Sequence, residues 1–307
     1  MKIGIVSNSK ICIPLLSYLI SYNKAGVLFY LGNSQVPEIS RPELLGFCNA
    51  NRIAVHLEDK KEELYQWQQF FEPDIIFVTG YSHKIQVEQL SGVSKGIYNI
   101  HFGKLPEFRG PSPVFWQLKK GLRDIGLSIH QLSDKLDSGA VVWEYFLKNE
   151  DYHSYNYVNY IFSEMQVQGV AHILEHVYRN EIVNKKPQDE NKAKYFKKPQ
   201  LADVMINWET MGANEITSLV KACNSWNIGA ITGINGAELK IIDATAAEKN
   251  NDAFTPGTAI VDGAKFHVVC LNQQCIAINF FYMNNTYVPA RHAGFYGLKT
   301  GQRFINP

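Results

Sequence analysis

Strand-like apolar runs alternate with helix-like stretches through the first hundred residues, and few architectures accept that rhythm. Residues 2–7, 26–31, 53–57, 74–79 and 97–100 read as strands, with helices at 11–22, 42–51 and 60–71 between them. Leu64, Trp67 and Phe71 share one face of the third helix. Residues 74–79 form a continuous apolar run with no alternation, the pattern of a central parallel strand covered on both faces. Strand, helix, strand in repetition predicts an α/β fold built on a doubly wound parallel sheet. Pro14 fits this reading because it falls in the first turn of its helix. Further strands at 127–132 and 139–147 and a long helix at 152–180 complete this part of the chain.

Sheets of this type gather their ligands at the carboxyl ends of the strands, and two blocks of the sequence end there. The first is Tyr98-Asn99-Ile100-His101-Phe102-Gly103-Lys104-Leu105-Pro106-Glu107-Phe108-Arg109-Gly110. Asn99 and His101 are two apart, so an extended backbone projects both to the same face. Leu105-Pro106 and Arg109-Gly110 then turn the chain, and Pro113 opens a helix. The second block starts at Gly126-Leu127-Ser128-Ile129-His130 and runs into a loop that carries Asp137, with Gly139 freeing the backbone beside it. Singly, each polar residue has an ordinary explanation: Asn99 and Asp137 as turn formers, His101 and His130 as satisfied structural histidines. The loop after the first strand, Ser7-Asn8-Ser9-Lys10, is not a G-x-G-x-x-G, which speaks against the usual dinucleotide site. It can turn N–H groups toward a phosphate, or simply cap a helix.

Hydrophobic residues make up 46% of the 307, enough for a sizeable core and against disorder. Thirty basic and 29 acidic side chains leave a formal charge of +1, which argues against a protein that coats nucleic acid. The five cysteines, Cys12, Cys48, Cys223, Cys270 and Cys275, are scattered, with no C-x-x-C pair and no metal-ligand set. They read as free thiols of a reducing compartment. The first residues form a strand rather than a secretory leader, and no segment reaches the length of a membrane span. A cytoplasmic location is therefore expected.

The two blocks together, Asn-x-His followed by Leu-Pro and Arg-Gly, then Gly-x-Ser-x-His and Asp-x-Gly, resemble the folate-dependent formyltransferases. That family includes enzymes acting on methionyl-tRNA and on sugar nucleotides. The resemblance implies a formyltransferase catalytic domain over 1–183, with 10-formyltetrahydrofolate as formyl donor and Asn99, His101 and Asp137 as catalytic residues. Asn99 would stabilise the oxyanion, and Asp137 and His101 would jointly move protons. Ser128 and His130 would support the loop holding Asp137. The folate pocket would be lined by Tyr81, Ser82, His83 and Ile85 and by the loop containing Leu136 and Gly139. The acceptor would approach along Asn8, Phe108, Arg109, Gly110 and Ser112, with Arg109 placed to pair with a phosphate or carboxylate, or simply to brace its loop. No metal is implied.

Beyond residue 183 the composition changes. Residues 184–204 hold six lysines, two prolines and few acidic groups, and read as a linker. Lys194-Tyr195-Phe196-Lys197-Lys198-Pro199 resembles a segment that follows the catalytic domain in this family. Residues 205–307 give a helix at 213–223 and short strands at 230–234, 239–244, 258–261, 267–271 and 275–281, with turns at Asn235-Gly236, Pro256-Gly257 and Asp262-Gly263. One helix and five short strands predict a small β-barrel domain of OB-like type. No pattern is visible after Asn284.

Over residues 201–307 acidic side chains outnumber basic ones by one, a poor surface for an RNA backbone. The loop Gly32-Asn33-Ser34-Gln35-Val36-Pro37-Glu38 is not basic either. The expected acceptor is thus a primary amine of a small metabolite, an amino-sugar nucleotide first among them. Methionyl-tRNA is the runner-up acceptor, hydrolysis of the formyl-folate a further enzymatic alternative, and a silent folate- or nucleotide-binding module the non-enzymatic one. A homodimer is left open.

Overall fold

A computed structural model describes residues 1–23, 26–33, 40–60, 62–223, 227–247 and 251–306. The 32–38 loop lies largely outside the described residues. The chain divides into two compact units.

The first unit comprises residues 1–113, 126–147 and 159–196. Its elements begin β1 (Ile3–Ser7), α1 (Ile13–Asn23), β2 (Val27–Leu31), α2 (Ser40–Asn51), β3 (Val55–Leu57), α3 (Glu63–Phe71), β4 (Ile75–Thr79) and β5 (Ile97–His101). After α4 (Pro113–Lys119) come β6 (Asp124–Gln131), β7 (Val141–Lys148) and α5 (Tyr155–Tyr178). The sheet order is β3-β2-β1-β4-β5-β6-β7. Both β1 and β4 are buried at every position, as their unbroken apolar runs require. Leu64 and Trp67 of α3 pack with Val6, Tyr30, Ile76 and Val78 from the sheet. A short 3-10 turn (Lys10–Cys12), capped by the Ser9 hydroxyl on the Ile11 N–H, precedes α1, so Pro14 sits where no helical hydrogen bond is lost.

One strand departs from the expected parallel arrangement. β6 runs antiparallel to β5, with Asn99 opposite His130 and His101 opposite Ser128. A fully buried strand has the same composition in either direction, so its sequence carries no sign of which way it runs.

The second unit comprises residues 114–125, 148–158 and 197–307. It holds α6 (Ala213–Cys223) and the strands β8 (Ala230–Ile234), β9 (Ala237–Ala247), β10 (Ala259–Asp262), β11 (Lys265–Val269), β12 (Cys275–Met283), β13 (Thr286–Pro289) and β14 (Phe304–Ile305). The antiparallel order is β10-β11-β12-β9-β8-β14, with β13 on β12. The sheet curls until its ends meet: Thr258 bridges Arg303, and the Phe304 N–H donates to the Gly257 carbonyl at 2.8 Å. Ile216, Leu219, Val220 and Cys223 form the buried stripe of α6. Trp208, Phe266, Phe281 and Phe304 fill the core, with the Trp208 indole N–H on Thr232 Oγ1 at 2.8 Å.

The region after Asn284 does carry structure. Asn284 and Asn285 both take positive φ, at 49° and 57°, and turn β12 into β13. Among the described residues, no helix is long and apolar enough to cross a membrane.

Candidate active site

Asn99 and His101 sit on one face of β5, and antiparallel β6 sets His130 directly across from Asn99. The loop from β6 to β7 brings Asp137 back over both strands. Its backbone is left-handed, φ 50°, a conformation that costs a non-glycine residue about 1 kcal/mol or more and persists only where neighbours hold it. Around the Asp137 carboxylate, Oδ1 accepts from Asn99 Nδ2 at 3.2 Å and Oδ2 accepts from the Gly110 N–H at 2.8 Å. His101 Nδ1 lies 3.7 Å from Oδ2, and His130 Nε2 lies 3.5 Å from Oδ1. The two expected blocks thus converge on one carboxylate.

Backbone carbonyls fix both imidazoles. His101 Nε2 is 2.7 Å from the Phe108 carbonyl and must donate its proton there, which leaves Nδ1 toward Asp137 as the free nitrogen of the neutral ring. His130 Nδ1 donates to the Gln131 carbonyl at 2.7 Å, so its Nε2 accepts from Asn99 Nδ2 at 3.1 Å. Burial alone would raise the Asp137 carboxyl. The charge that His101 and His130 carry once protonated, the hydrogen bond a protonated His130 Nε2 can then donate, and the Gly110 N–H outweigh it and hold the group well below the usual carboxylate range. Burial pushes His101 the other way, against the pull of Asp137, and keeps the ring neutral below its ordinary value. An anionic carboxylate beside a neutral imidazole with one free nitrogen can take up a proton and stabilise it once taken.

Ser128 supports the other loop, not the one carrying Asp137: its hydroxyl donates to the Gly103 carbonyl at 2.8 Å and accepts from the Leu105 N–H at 3.3 Å. Three residues expected to meet the acceptor instead build the frame. Phe108 is buried, stacks on Phe196 at 5.1 Å and gives its carbonyl to His101. Gly110 places its N–H on Asp137 and has no room for a side chain, since a Cβ would lie 2.1 Å from the Phe196 carbonyl oxygen. Arg109 is fully buried and braces its loop rather than waiting for a phosphate. Its guanidinium donates to Gln188 Oε1, to both Glu190 oxygens and to the Tyr195 hydroxyl. The hydrogen bonds from Arg109 and Lys135 bring the Glu190 carboxyl down to about 2. Asn8, nearly buried, donates to Ser82 Oγ at 2.7 Å, while Ser112 is half-buried at φ 58°.

Of the expected folate residues, Leu136 is 45% exposed one position before Asp137. Ile85 belongs to the apolar core around Trp67. Tyr81 donates to Glu58, a buried carboxylate that also accepts from Tyr30 and the Asn33 N–H. His83 Nε2 lies 3.2 Å from the Asn33 carbonyl. Gly139 gives its carbonyl to Gln188 Nε2 at 2.7 Å. Neither Glu58 nor Gln188 is marked in the sequence: one is the first of two adjacent acids after a three-residue strand, the other lies in a stretch with the composition of a linker.

Comparison with known proteins identifies the family and the fold. The methionyl-tRNA formyltransferase of Thermotoga neapolitana is 26% identical over 192 residues, 62% of this chain; the match spans only 60% of that relative's length. The solved sugar 3N-formyl transferase WlaRD, crystallised in the presence of dTDP and 5-N-formyl-THF, superimposes with a TM-score of 0.71 at 17% identity, covering 91% of this chain and 97% of that one. The N-formyltransferase from Helicobacter canadensis, in complex with folinic acid and dTDP-3-aminofucose, gives a TM-score of 0.70 at 17% identity and covers 91% of this chain and 98% of its own. At that identity the likeness is one of fold. The family model described as "Formyl transferase" matches residues 46–148, which contain Asn99, His101 and Asp137, and that described as "Formyl transferase, C-terminal domain" matches 200–281. With more than half of its length matched by the two models, the chain belongs to the formyltransferase family.

Proposed function

We propose that the protein is a folate-dependent N-formyltransferase that moves the formyl group of 10-formyltetrahydrofolate to the primary amine of an amino-sugar nucleotide. The observation that carries the reading is the Asp137 carboxylate gripped by Asn99, His101, His130 and the Gly110 N–H. The donor set fits a formylated folate: an amide for the carbonyl oxygen, a base with one free nitrogen, and the apolar Leu136 beside them for a flat ring. The donor supplies an electrophilic formyl carbon and a nitrogen leaving group.

Each residue then has a task. His101 Nδ1 accepts the amine proton as the new C–N bond forms, and Asp137 stabilises the resulting imidazolium. Asn99 Nδ2 turns one of its two hydrogens, which otherwise lie on Asp137 and His130, to the carbonyl oxygen as negative charge builds there. The proton held between His101 and Asp137 passes to the departing nitrogen as the old C–N bond breaks. Two solved fold neighbours were crystallised with a reduced formyl-folate and with dTDP or a dTDP-amino sugar, and the slightly acidic balance of 201–307 points the same way.

Incubation with 10-formyltetrahydrofolate and a panel of amino-sugar nucleotides, with charged initiator tRNA in parallel, tests the reading by mass spectrometry of the acceptor. Formylation of a sugar nucleotide is expected. Formylation of the tRNA alone would move the protein to the activity of its named sequence relatives. Donor breakdown without an acceptor would make it a hydrolase, and tight folate binding without turnover a binding module.

A further inference from the structure

Residues 184–196 lie between the two stretches that the family models match. The composition is that of a solvated linker, yet this segment is tied along the first unit. Lys186 and Val141 exchange backbone hydrogen bonds at 2.8 and 2.9 Å. Further on, the Lys194 N–H donates to Pro106, the Arg109 N–H to Lys194, and the Phe196 N–H to Arg109, at 2.9–3.1 Å. Between those anchors three side chains reach both loops of the site. Glu190 binds Arg109 on one and Lys135 on the other. The Tyr195 ring lies beneath both cations, 5.3 Å from the Arg109 guanidinium and 5.8 Å from the Lys135 ammonium. Gln188 goes furthest in: its amide N–H groups donate to the carbonyls of Asp137, at 2.9 Å, and Gly139, at 2.7 Å. Its oxygen is aimed by Arg109 Nε and Nη2, at 3.0 and 2.8 Å.

We propose that Gln188 is a positioning residue for Asp137: the strap carries its amide across the site, where it holds the left-handed Asp137 backbone with the carboxylate turned onto His101, Asn99 and the Gly110 N–H. Arg109 aligns the Gln188 amide and closes the strap over both loops. A residue some fifty positions downstream of the carboxylate thereby sets the geometry of proton transfer without touching the reacting atoms. The proposal rests on the role given to Asp137 above, and its test separates the two.

Gln188→Glu keeps the chain length and the acceptor for Arg109 but removes the N–H groups that hold the two carbonyls; Gln188→Leu removes both functions. In folded Gln188→Glu, kcat for donor consumption is expected to fall about a hundred-fold with KM within about three-fold, the signature of misplaced reacting groups. Because the Asp137 charge favours the imidazolium, its displacement should also move the His101 titration, followed by NMR of labelled histidine, to lower pH. Wild-type kcat and an unmoved His101 titration in a folded variant would overturn the proposal, as would a fall in kcat with the titration unmoved. A titration shift in a protein that transfers no formyl group, even unmodified, would leave the positioning role standing and sink the proposed reaction. If both variants fail to fold, hydrogen exchange in the unmodified protein decides: a Gly110 amide that exchanges as fast as an open loop overturns the claim, and a protected one supports it.

Discussion

Replacing Asp137 by asparagine removes one charge and leaves the side-chain outline unchanged. The substitution is well placed to isolate electrostatics, since asparagine tolerates the left-handed backbone at least as well as aspartate. Its Oδ1 can still accept from the Gly110 N–H, and its NH₂ can donate to His130 Nε2, so the loop keeps partners. What disappears is the anion 3.7 Å from His101 Nδ1. At an effective dielectric constant near 20, an ion pair at that distance is worth about 4 kcal/mol, or roughly a thousand-fold in rate. Donor consumption under saturating acceptor should therefore fall by about three orders of magnitude in Asp137→Asn, with KM for the donor changed only a few-fold. The His101 titration should drop as well, because the partner that favours its charged form is gone. Activity within about ten-fold of the unmodified protein would show that the charge of Asp137 is not used, and the proton-transfer scheme would have to be abandoned.

Three further perturbations test other links. Burial keeps His101 neutral, so the unfolded chain binds the extra proton first; stability should be full above about pH 6.5 and fall below it, by at most about 1.4 kcal/mol per pH unit for that proton, and His101→Asn should flatten this limb in pH-dependent urea melts. The depressed Asp137 carboxyl adds its own loss only at lower pH, as acidity passes the ordinary carboxylate range and approaches the folded value. Gly110→Ala forces a methyl against the Phe196 carbonyl at φ 101°, so a loss of about 2 kcal/mol or more by calorimetry is expected, together with loss of turnover. Trp67→Ala empties the core beside β1 and should cost about 3–5 kcal/mol of unfolding free energy in denaturant titration, while the folded fraction keeps its kcat.

The parts of the site that could be read from sequence are those fixed by local geometry. Asn99 and His101 share a face because a strand repeats every two residues, and Asp137 beside Gly139 announces a special turn. The apposition of His130 to Asn99 depends on the direction of β6, which no local pattern records. Arg109 carried an open choice between a phosphate and a loop, and only the burial of its guanidinium decides it. Gln188 and Glu190 were hidden by their lysine-rich surroundings, because composition reports solubility and not where a chain is tied down. In the second unit the strands with Asn-Gly or Asp-Gly turns were legible. The Asn284-Asn285 turn lacks a glycine and β14 has two residues, too few to show a period.

The meeting of the sheet ends at Thr258 and Arg303 carries a consequence for handling the protein. A curled sheet that closes on itself offers no row of idle amides for a foreign strand to pair with. Here the seal is made by Phe304 and Ile305 alone on one side. Clipping the chain just before Phe304 would strip the partner from β8, and its exposed margin would become a template for edge-to-edge pairing between molecules. Proteolytic trimming before Phe304 should accordingly show first as concentration-dependent aggregation.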